Sequence, residues 1–124
     1  SELKYYYKIY NEDVALNSLR CVDNRYDLTH NMVIYMGYNV NVFYNGKNEI
    51  DFVAQNGGKK YYIQVAYSVE DNKAYESEFK AFSNLDYTYK KILITNDEID
   101  YSTSTVIHVK LKDFLLMNSL EEIK

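Results

Sequence analysis

Two acidic side chains and one amide side chain flank a pair of glycines in the segment 48–67, NEIDFVAQNGGKKYYIQVAY. Glu49 and Asp51 lie on the predicted strand before the glycines, and Gln64 lies on the predicted strand after them. If glycines 57–58 form a two-residue turn, Asp51 lies opposite Gln64, with their Cβ atoms about 5 Å apart. Carboxylate and amide oxygens are ligands that Mg²⁺ and Mn²⁺ accept. The segment therefore predicts a weak Mg²⁺ or Mn²⁺ site formed by Asp51, Glu49 and Gln64.

The predicted site depends on the register of this hairpin and on strict alternation along its first strand. Alternation places Glu49, Asp51 and Val53 on one face, and Ile50, Phe52 and Ala54 on the other. The same register sets Ala66 opposite Glu49, so that Glu49, Asp51, Gln64 and Ala66 form one patch. A slip of one residue would move the acidic groups to opposite faces.

The hairpin resembles the active-site motif of the PD-(D/E)XK nucleases. In that motif an acidic residue on one strand is followed, after a turn, by D/E-x-K on the next strand. Asp51 matches the first acid, whereas Gln64 and Ala66 stand where the second acid and the lysine belong. The resemblance implies a restriction-endonuclease-like fold with an incomplete catalytic set.

A second resemblance covers about residues 37–116. The segments EIDFVA and KKYYIQVAYS, the pair Glu78-Phe79 and the late DFLL at 113–116 resemble the uncharacterised C-terminal domain of bacterial and archaeal AAA-family ATPases. This resemblance implies an accessory domain of an ATPase and no particular activity. The chain has no G-x-x-x-x-G-K-[ST] motif, so the segment is not itself the ATPase module.

The missing lysine argues against catalysis. Its ammonium group would stabilise charge on the attacking water and the phosphate, and Ala66 supplies no charge. Lys60 lies four residues from Gln64 on the same face, about 13 Å along the strand, which is too far. We therefore expect Asp51, Gln64 and Glu49 to be vestigial and the domain to be an interaction or regulatory module of an AAA-family ATPase. Three alternatives stay open: an exposed acidic strand face, a metal-dependent DNA nuclease with a relaxed ligand set, and DNA binding without cleavage.

Charge and composition limit the partners. The net charge is −4, and the 14 basic residues are scattered in pairs at best, whereas nucleic-acid binders gather basic residues on one face. Nucleic acid is thus a possible partner that the charge does not favour, and the expected partner is the ATPase module of the same polypeptide or another protein. No apolar run approaches the roughly 20 residues that cross a bilayer, so no membrane partner is expected.

Cysteine and histidine give little chemistry. Cys21 is the only cysteine, which excludes a disulfide within the chain and predicts a reducing, cytoplasmic location. His30 and His108 have no second ligand at zinc spacing. Because the chain begins with Ser1, we expect a fragment of a longer ATPase.

The periodicity of apolar residues predicts one α/β domain, in which 1–36 is a helical segment and 37–124 is the restriction-endonuclease-like core. The sheet is expected to be mixed, with about five strands: an antiparallel three-stranded meander, a crossover helix, two further strands and flanking helices. The expected N-terminal elements are a short strand or an extended arm over 3–10, a helix from Asn11 or Asp13 to about 19, and a helix over 26–36 that Gly37 ends. Strands over 40–44, 49–54 and 60–67 follow, the first two joined by a turn at 45–46. The remaining elements are a helix capped by Ser68 or Asp71, strands over 91–95 and 106–111, and a helix over 112–117.

Overall fold

The computed structural model describes residues 25–44, 49–86 and 88–124. The predicted arm over 3–10, the helix ending near 19, Cys21 and the predicted turn at 45–46 lie outside the described residues. The division of the chain at residue 36 stays a prediction.

Five strands form one open, mixed sheet in the spatial order β1-β2-β3-β4-β5. The first three pair antiparallel, and the pairs β3–β4 and β4–β5 are parallel. This confirms the predicted α/β class and the mixed sheet. The strands are β1 (Asn39–Tyr44), β2 (Glu49–Asn56), β3 (Lys59–Val65), β4 (Lys90–Thr95) and β5 (Val106–Lys110).

The helices among the described residues are α1 (Arg25–Tyr35), α2 (Asn72–Ala81) and α3 (Leu111–Phe114), followed by a 3₁₀ turn at Leu120–Glu122. The sequence predicts the closing helix over 112–117, but in the structure it begins at Leu111 and ends at Phe114. None of the helices in the described part of the chain is long and apolar enough to span a bilayer.

Helix ends follow the predicted caps. Gly37, with φ of +98°, ends α1 because its left-handed backbone lets the next N–H, of Tyr38, return to the Val33 carbonyl. Asp71 is the N-cap of α2, and its carboxylate accepts the Lys73 N–H at 3.4 Å. The crossover helix α2 joins β3 to β4, as parallel neighbours require.

Apolar residues are buried on both faces of the sheet, so the helices lie in two layers. In β4, for example, Ile92 and Ile94 belong to one core and Leu93 to the other. One core joins the sheet to α1 and the C-terminal residues: Met32, Val33, Tyr38, Phe52, Ala54, Tyr61, Ile63, Ile92, Ile94, Val109, Leu111, Phe114, Leu115, Leu120 and Ile123. The other joins the sheet to α2: Ile50, Val53, Tyr62, Val69, Ala81, Phe82, Leu93 and Val106.

Tyr75, Phe79 and Phe82 recur at helical spacing and form an apolar stripe on α2 and its C-cap, which packs on this second core. Phe82 is buried, and the rings of Tyr75 and Phe79 stack with centroids 4.2 Å apart. Both rings contact the second core, which places α2 over the face of the sheet that carries Gln64.

A β-bulge interrupts the pairing of β1 with β2. Asn41 pairs with Val53, whereas Phe43, two residues later, pairs with Ile50. One residue of β1 thus opposes two residues of β2, the first of which is Asp51. The bulge bends β2 at the position of the predicted site.

The bulge also corrects the predicted faces of β2. We predicted that Ile50 would share a face with Phe52 and Ala54, but Ile50 packs in the core of Val53 and Tyr62. Strict alternation fails because a bulge adds one residue to the strand and shifts the side chains before it by one face.

Candidate functional site

The hairpin of β2 and β3 has the predicted register. Asn56 pairs with Lys59 across the turn, and the pairing continues to Phe52 with Ile63. Gly57 has φ of +61°, a conformation that glycine adopts without steric cost. Continued by one residue, this register sets Asp51 beside Gln64.

Side chains replace the backbone ladder at this point. The Asp51 N–H donates a hydrogen bond to Gln64 Oε1 at 2.6 Å, and the Val65 N–H donates to Asp51 Oδ2 at 2.9 Å. Each side chain therefore satisfies a backbone N–H of the opposite strand, as buried backbone groups require. Asp51 and Gln64 are held in fixed positions where the two strands stop pairing.

Gln64 links this pair to α2. Because the Asp51 N–H can only donate, Gln64 must present its oxygen there and its amide nitrogen elsewhere. That nitrogen, Nε2, donates to Glu78 Oε2 at 2.9 Å. Gln64 is only 5% exposed. Asp51, Gln64 and Glu78 thus form one hydrogen-bonded group, which we call the Asp51 cluster.

Protein-family models, curated proteins and solved structures give no match to this chain.

Sequence reasoning gave no role to Glu78, although a signal exists. Glu78 lies three residues after Tyr75 and four before Phe82, so it falls within the apolar stripe of α2. A glutamate in a stripe that packs on a sheet is half-buried and needs a donor. The Gln64 amide is that donor.

Burial raises the pKa of both carboxyl groups in the Asp51 cluster. For Glu78, desolvation and then the charge of Asp51 raise the pKa to about 7, against the lowering effect of the Gln64 hydrogen bond. For Asp51, desolvation is again the largest cause, the Val65 N–H lowers the pKa, and the Glu49 charge raises it. Near neutral pH, Glu78 is therefore poised between its charged and neutral forms.

Glu49 and Ala66, the other two residues of the predicted patch, do not take part in the hydrogen bonds of the Asp51 cluster. Glu49 is exposed and pairs with Tyr44 of β1 on the far side of the bulge, so its charge reaches Asp51 without a hydrogen bond between them. The Ala66 N–H donates to the Ile94 carbonyl at 3.0 Å, and its methyl group packs in the second core. The position at which the resemblance would call for a lysine is thus apolar.

Lys60, which is too far along the strand to replace the missing lysine, contacts two tyrosine rings. Its Nζ lies 5.2 Å from the ring centre of Tyr62 and 5.3 Å from that of Tyr89. These are cation–π distances, and they hold the ammonium group at the turn end of β3.

A divalent cation fits the Asp51 cluster poorly in this arrangement. The Gln64 oxygen faces the Asp51 N–H, and one Asp51 oxygen accepts the Val65 N–H. Among the described residues, no group of three or more His, Cys, Asp or Glu side chains is placed to hold a metal. The predicted Mg²⁺ or Mn²⁺ set of Asp51, Glu49 and Gln64 stays a prediction.

A second polar group, which sequence reasoning missed, lies at the ends of β4 and β5. The Tyr101 N–H donates to His108 Nδ1 at 3.1 Å, so the proton of a neutral ring lies on Nε2, 2.7 Å from Thr95 Oγ1. The Thr95 hydroxyl donates to Asp97 at 2.9 Å, and Ser68 donates to Asp97 at 2.5 Å. Ser68 therefore contacts the Asp97 carboxylate and not the His108 imidazole, which is not the serine–histidine pair of the familiar hydrolases.

Proposed function

We propose that the chain is a catalytically inactive, restriction-endonuclease-like domain that serves as the C-terminal interaction or regulatory module of an AAA-family ATPase. The inactive state is supported by one observation above others: the buried Gln64 amide uses its oxygen and its nitrogen within the Asp51 cluster. The ATPase context is supported by the sequence resemblance over residues 37–116.

The order of the strands agrees with the proposed fold. An antiparallel meander, a crossover helix and two further strands are expected for this fold, and β4 and β5 are those two strands, parallel to each other. Asp51, which matches the first acid of the motif, lies where β2 and β3 cease to pair. The restriction-endonuclease-like fold is therefore the interpretation that this topology favours.

Two parts of the nuclease chemistry have no group to perform them at the motif positions 64 and 66. Hydrolysis of a phosphodiester needs a bound metal that polarises the phosphate and activates water. Gln64 brings no negative charge to hold such a metal, and Ala66 brings no ammonium to stabilise the developing charge. The cluster instead ties β2, β3 and α2 together through neutral and charged hydrogen bonds.

The alternative is a metal-dependent DNA nuclease with a relaxed ligand set, and one observation favours it. Glu78 brings a second carboxylate to the Asp51 cluster, from the helix and not from the motif position. A metal that displaced the Gln64 contacts would then find two carboxylates, enough for Mg²⁺ with several waters.

Incubation with DNA distinguishes the two functions. The chain is mixed with Mg²⁺ or Mn²⁺ and with supercoiled, linear and single-stranded DNA, beside the variants Asp51→Ala and Glu78→Gln. The proposal expects no cleavage by any of these proteins. Cleavage by the wild type that disappears in both variants, and persists in the exposed-site control Glu76→Gln, would establish the nuclease instead.

The regulatory part of the proposal needs a separate assay. The rate of ATP hydrolysis by the ATPase module is measured with and without this domain, and binding is measured by calorimetry. A changed rate or a measurable affinity supports the module. An unchanged rate together with no binding contradicts it, whatever the outcome of the DNA assay.

A further inference from the structure

A cavity of about 320 Å³ opens at the carboxyl ends of β3 and β4. Its lining residues follow directly on these strands, and they include Tyr67, Glu70, Asp97, Ile99 and Tyr101. Open α/β sheets bind ligands at this edge, outside the carboxyl ends of parallel strands. None of the lining residues belongs to the Asp51 cluster.

Hydrogen bonds hold the floor of this cavity in place. The Asp97 carboxylate accepts the Ser68 hydroxyl at 2.5 Å, the Val69 N–H at 2.8 Å and the Thr95 hydroxyl at 2.9 Å. Thr95 is fully buried and is contacted in turn by His108. The segments after β3 and β4 are therefore fixed relative to each other, and a ligand would meet a preformed site.

The cavity wall carries an excess of negative charge. Glu70, Asp97 and Glu98 line it. Desolvation acts to raise the pKa of Asp97, but its hydrogen bonds outweigh this and lower the pKa, while the hydrogen bond from Lys110 lowers that of Glu98. Lys110 Nζ lies 2.6 Å from Glu98 Oε2 and balances the charge of Glu98, so Glu70 and Asp97 carry the excess. Burial lowers the pKa of His108, so its ring adds no positive charge at neutral pH.

Aromatic and apolar groups stand at the mouth of the same cavity. Tyr67 is 64% exposed and Ile99 is 63% exposed, although both are large apolar side chains. Tyr101 also lines the cavity, and its ring is fixed edge-on against Tyr75 and His108 with centroids 6.1 and 5.7 Å away. Tyrosine faces beside carboxylates attract cations that are flat and weakly hydrated.

We propose that this cavity binds the guanidinium group of an arginine side chain, presented by a basic segment of a partner protein. Arginine suits the site better than lysine, because a guanidinium stacks on tyrosine and meets carboxylate oxygens with two parallel hydrogen bonds. Glu70 and Asp97 supply the carboxylates, and Tyr67 and Tyr101 supply the rings. The ligand would bind whether or not the Asp51 cluster is catalytically inactive.

Calorimetric titration of the 124-residue chain tests the proposal. The probes are a short capped peptide with one arginine among glycines, the same peptide with citrulline in place of arginine, and methylguanidinium alone. Citrulline keeps the shape of arginine and removes its charge. The arginine peptide is expected to bind, the citrulline peptide at least about tenfold more weakly, and methylguanidinium more weakly than the arginine peptide.

Two variants locate the site, and one serves as a control. Glu70→Gln removes one carboxylate and should weaken the arginine peptide about three- to tenfold. Tyr67→Ala removes one ring and should weaken it about two- to fivefold. Glu76→Gln, an exposed glutamate of α2 outside the lining, should leave the affinity unchanged.

Four results would each overturn the proposal: no binding of the arginine peptide at millimolar concentration, equal binding of the citrulline peptide, affinities unaffected by both Glu70→Gln and Tyr67→Ala, or methylguanidinium binding as tightly as the peptide. The last would assign the cavity to a small free cation and not to a partner protein. Circular dichroism of each variant confirms that a lost affinity is not a lost fold.

Discussion

Replacing Glu78 with glutamine should stabilise the chain at alkaline pH and have little effect at acidic pH. Folding raises the pKa of Glu78 from its ordinary value of 4.5 to about 7. The folded state thus holds this proton more tightly than the unfolded chain does. Stability is highest below the unfolded pKa and falls as the pH rises through the window between the two values. Glutamine carries no titrating proton, so the variant escapes this loss.

The size of the effect follows from the same shift. Taken in full, a pKa raised by this amount costs the folded state about 3 kcal/mol above pH 7. Glu78 is only half-buried, however, and solvent screening reduces the cost to about 1–2 kcal/mol. The glutamine oxygen can still accept the Gln64 Nε2–H, so the variant keeps the hydrogen bond. The raised pKa of Asp51 acts in the same direction, and the substitution leaves Asp51 in place.

Urea denaturation at about pH 4, below the unfolded pKa, and at about pH 8 measures the difference, with the midpoint and the slope fitted separately. Wild type and Glu78→Gln should agree within about 0.5 kcal/mol at the lower pH and differ by about 1–2 kcal/mol at the higher pH. Glu76→Gln, on the exposed side of the same helix, should follow the wild type at both values. An equal difference between Glu78→Gln and wild type at the two pH values would refute the assigned burial of the Glu78 charge.

Three further predictions concern the two polar groups. Gln64→Leu removes the donor to Glu78 and should lower the free energy of unfolding in urea by about 2–4 kcal/mol. A decrease no larger than about 0.5 kcal/mol, as for an exposed residue, would contradict the hydrogen bonds of the Asp51 cluster. His108 should be mainly neutral at pH 6.5, because burial lowers its pKa, and stability should fall as the pH drops from 6.5 through that lowered value. NMR titration of the ring protons checks this, and a midpoint at or above 6.5 would contradict it. Asp97→Asn replaces an acceptor of three hydrogen bonds by a group that also donates, and it should cost about 1–3 kcal/mol in thermal or urea unfolding; unchanged stability would show that Ser68 and its neighbours do not depend on the charge.

Local sequence signals located the hairpin correctly. The turn at glycines 57–58 fixes the register, because a two-residue loop leaves one pairing for the strands on either side. The structure confirms that register as far as Phe52 with Ile63. Periodicity within each element likewise predicted the helices and strands. The order of these elements, a meander followed by strand, helix and strand, then predicted the mixed sheet and the crossover helix.

The bulge at Asp51 could not be read from β2 alone. It arises from the pairing of β2 with β1, where Phe43 meets Ile50 and not the residue that strict alternation would give. The sequence of β2 is compatible with an unbroken strand, because the cost and gain of a bulge depend on the neighbouring strand. The prediction that Glu49 and Asp51 share one face depended on strict alternation along β2, and the bulge at Asp51 interrupts that alternation.

The contact with Glu78 explains why residue 64 is a glutamine, which the sequence of the two strands alone does not explain. Compared with the nuclease motif alone, Gln64 is a missing acid. A glutamate in its place would bring a third carboxylate between Asp51 and Glu78, in a half-buried site where desolvation already raises the pKa of both. It could accept the Asp51 N–H but would have no donor for Glu78 when ionised. Glutamine alone offers an acceptor to one neighbour and a donor to the other, so the residue at 64 follows from the helix packed above it as much as from the chemistry of the hairpin.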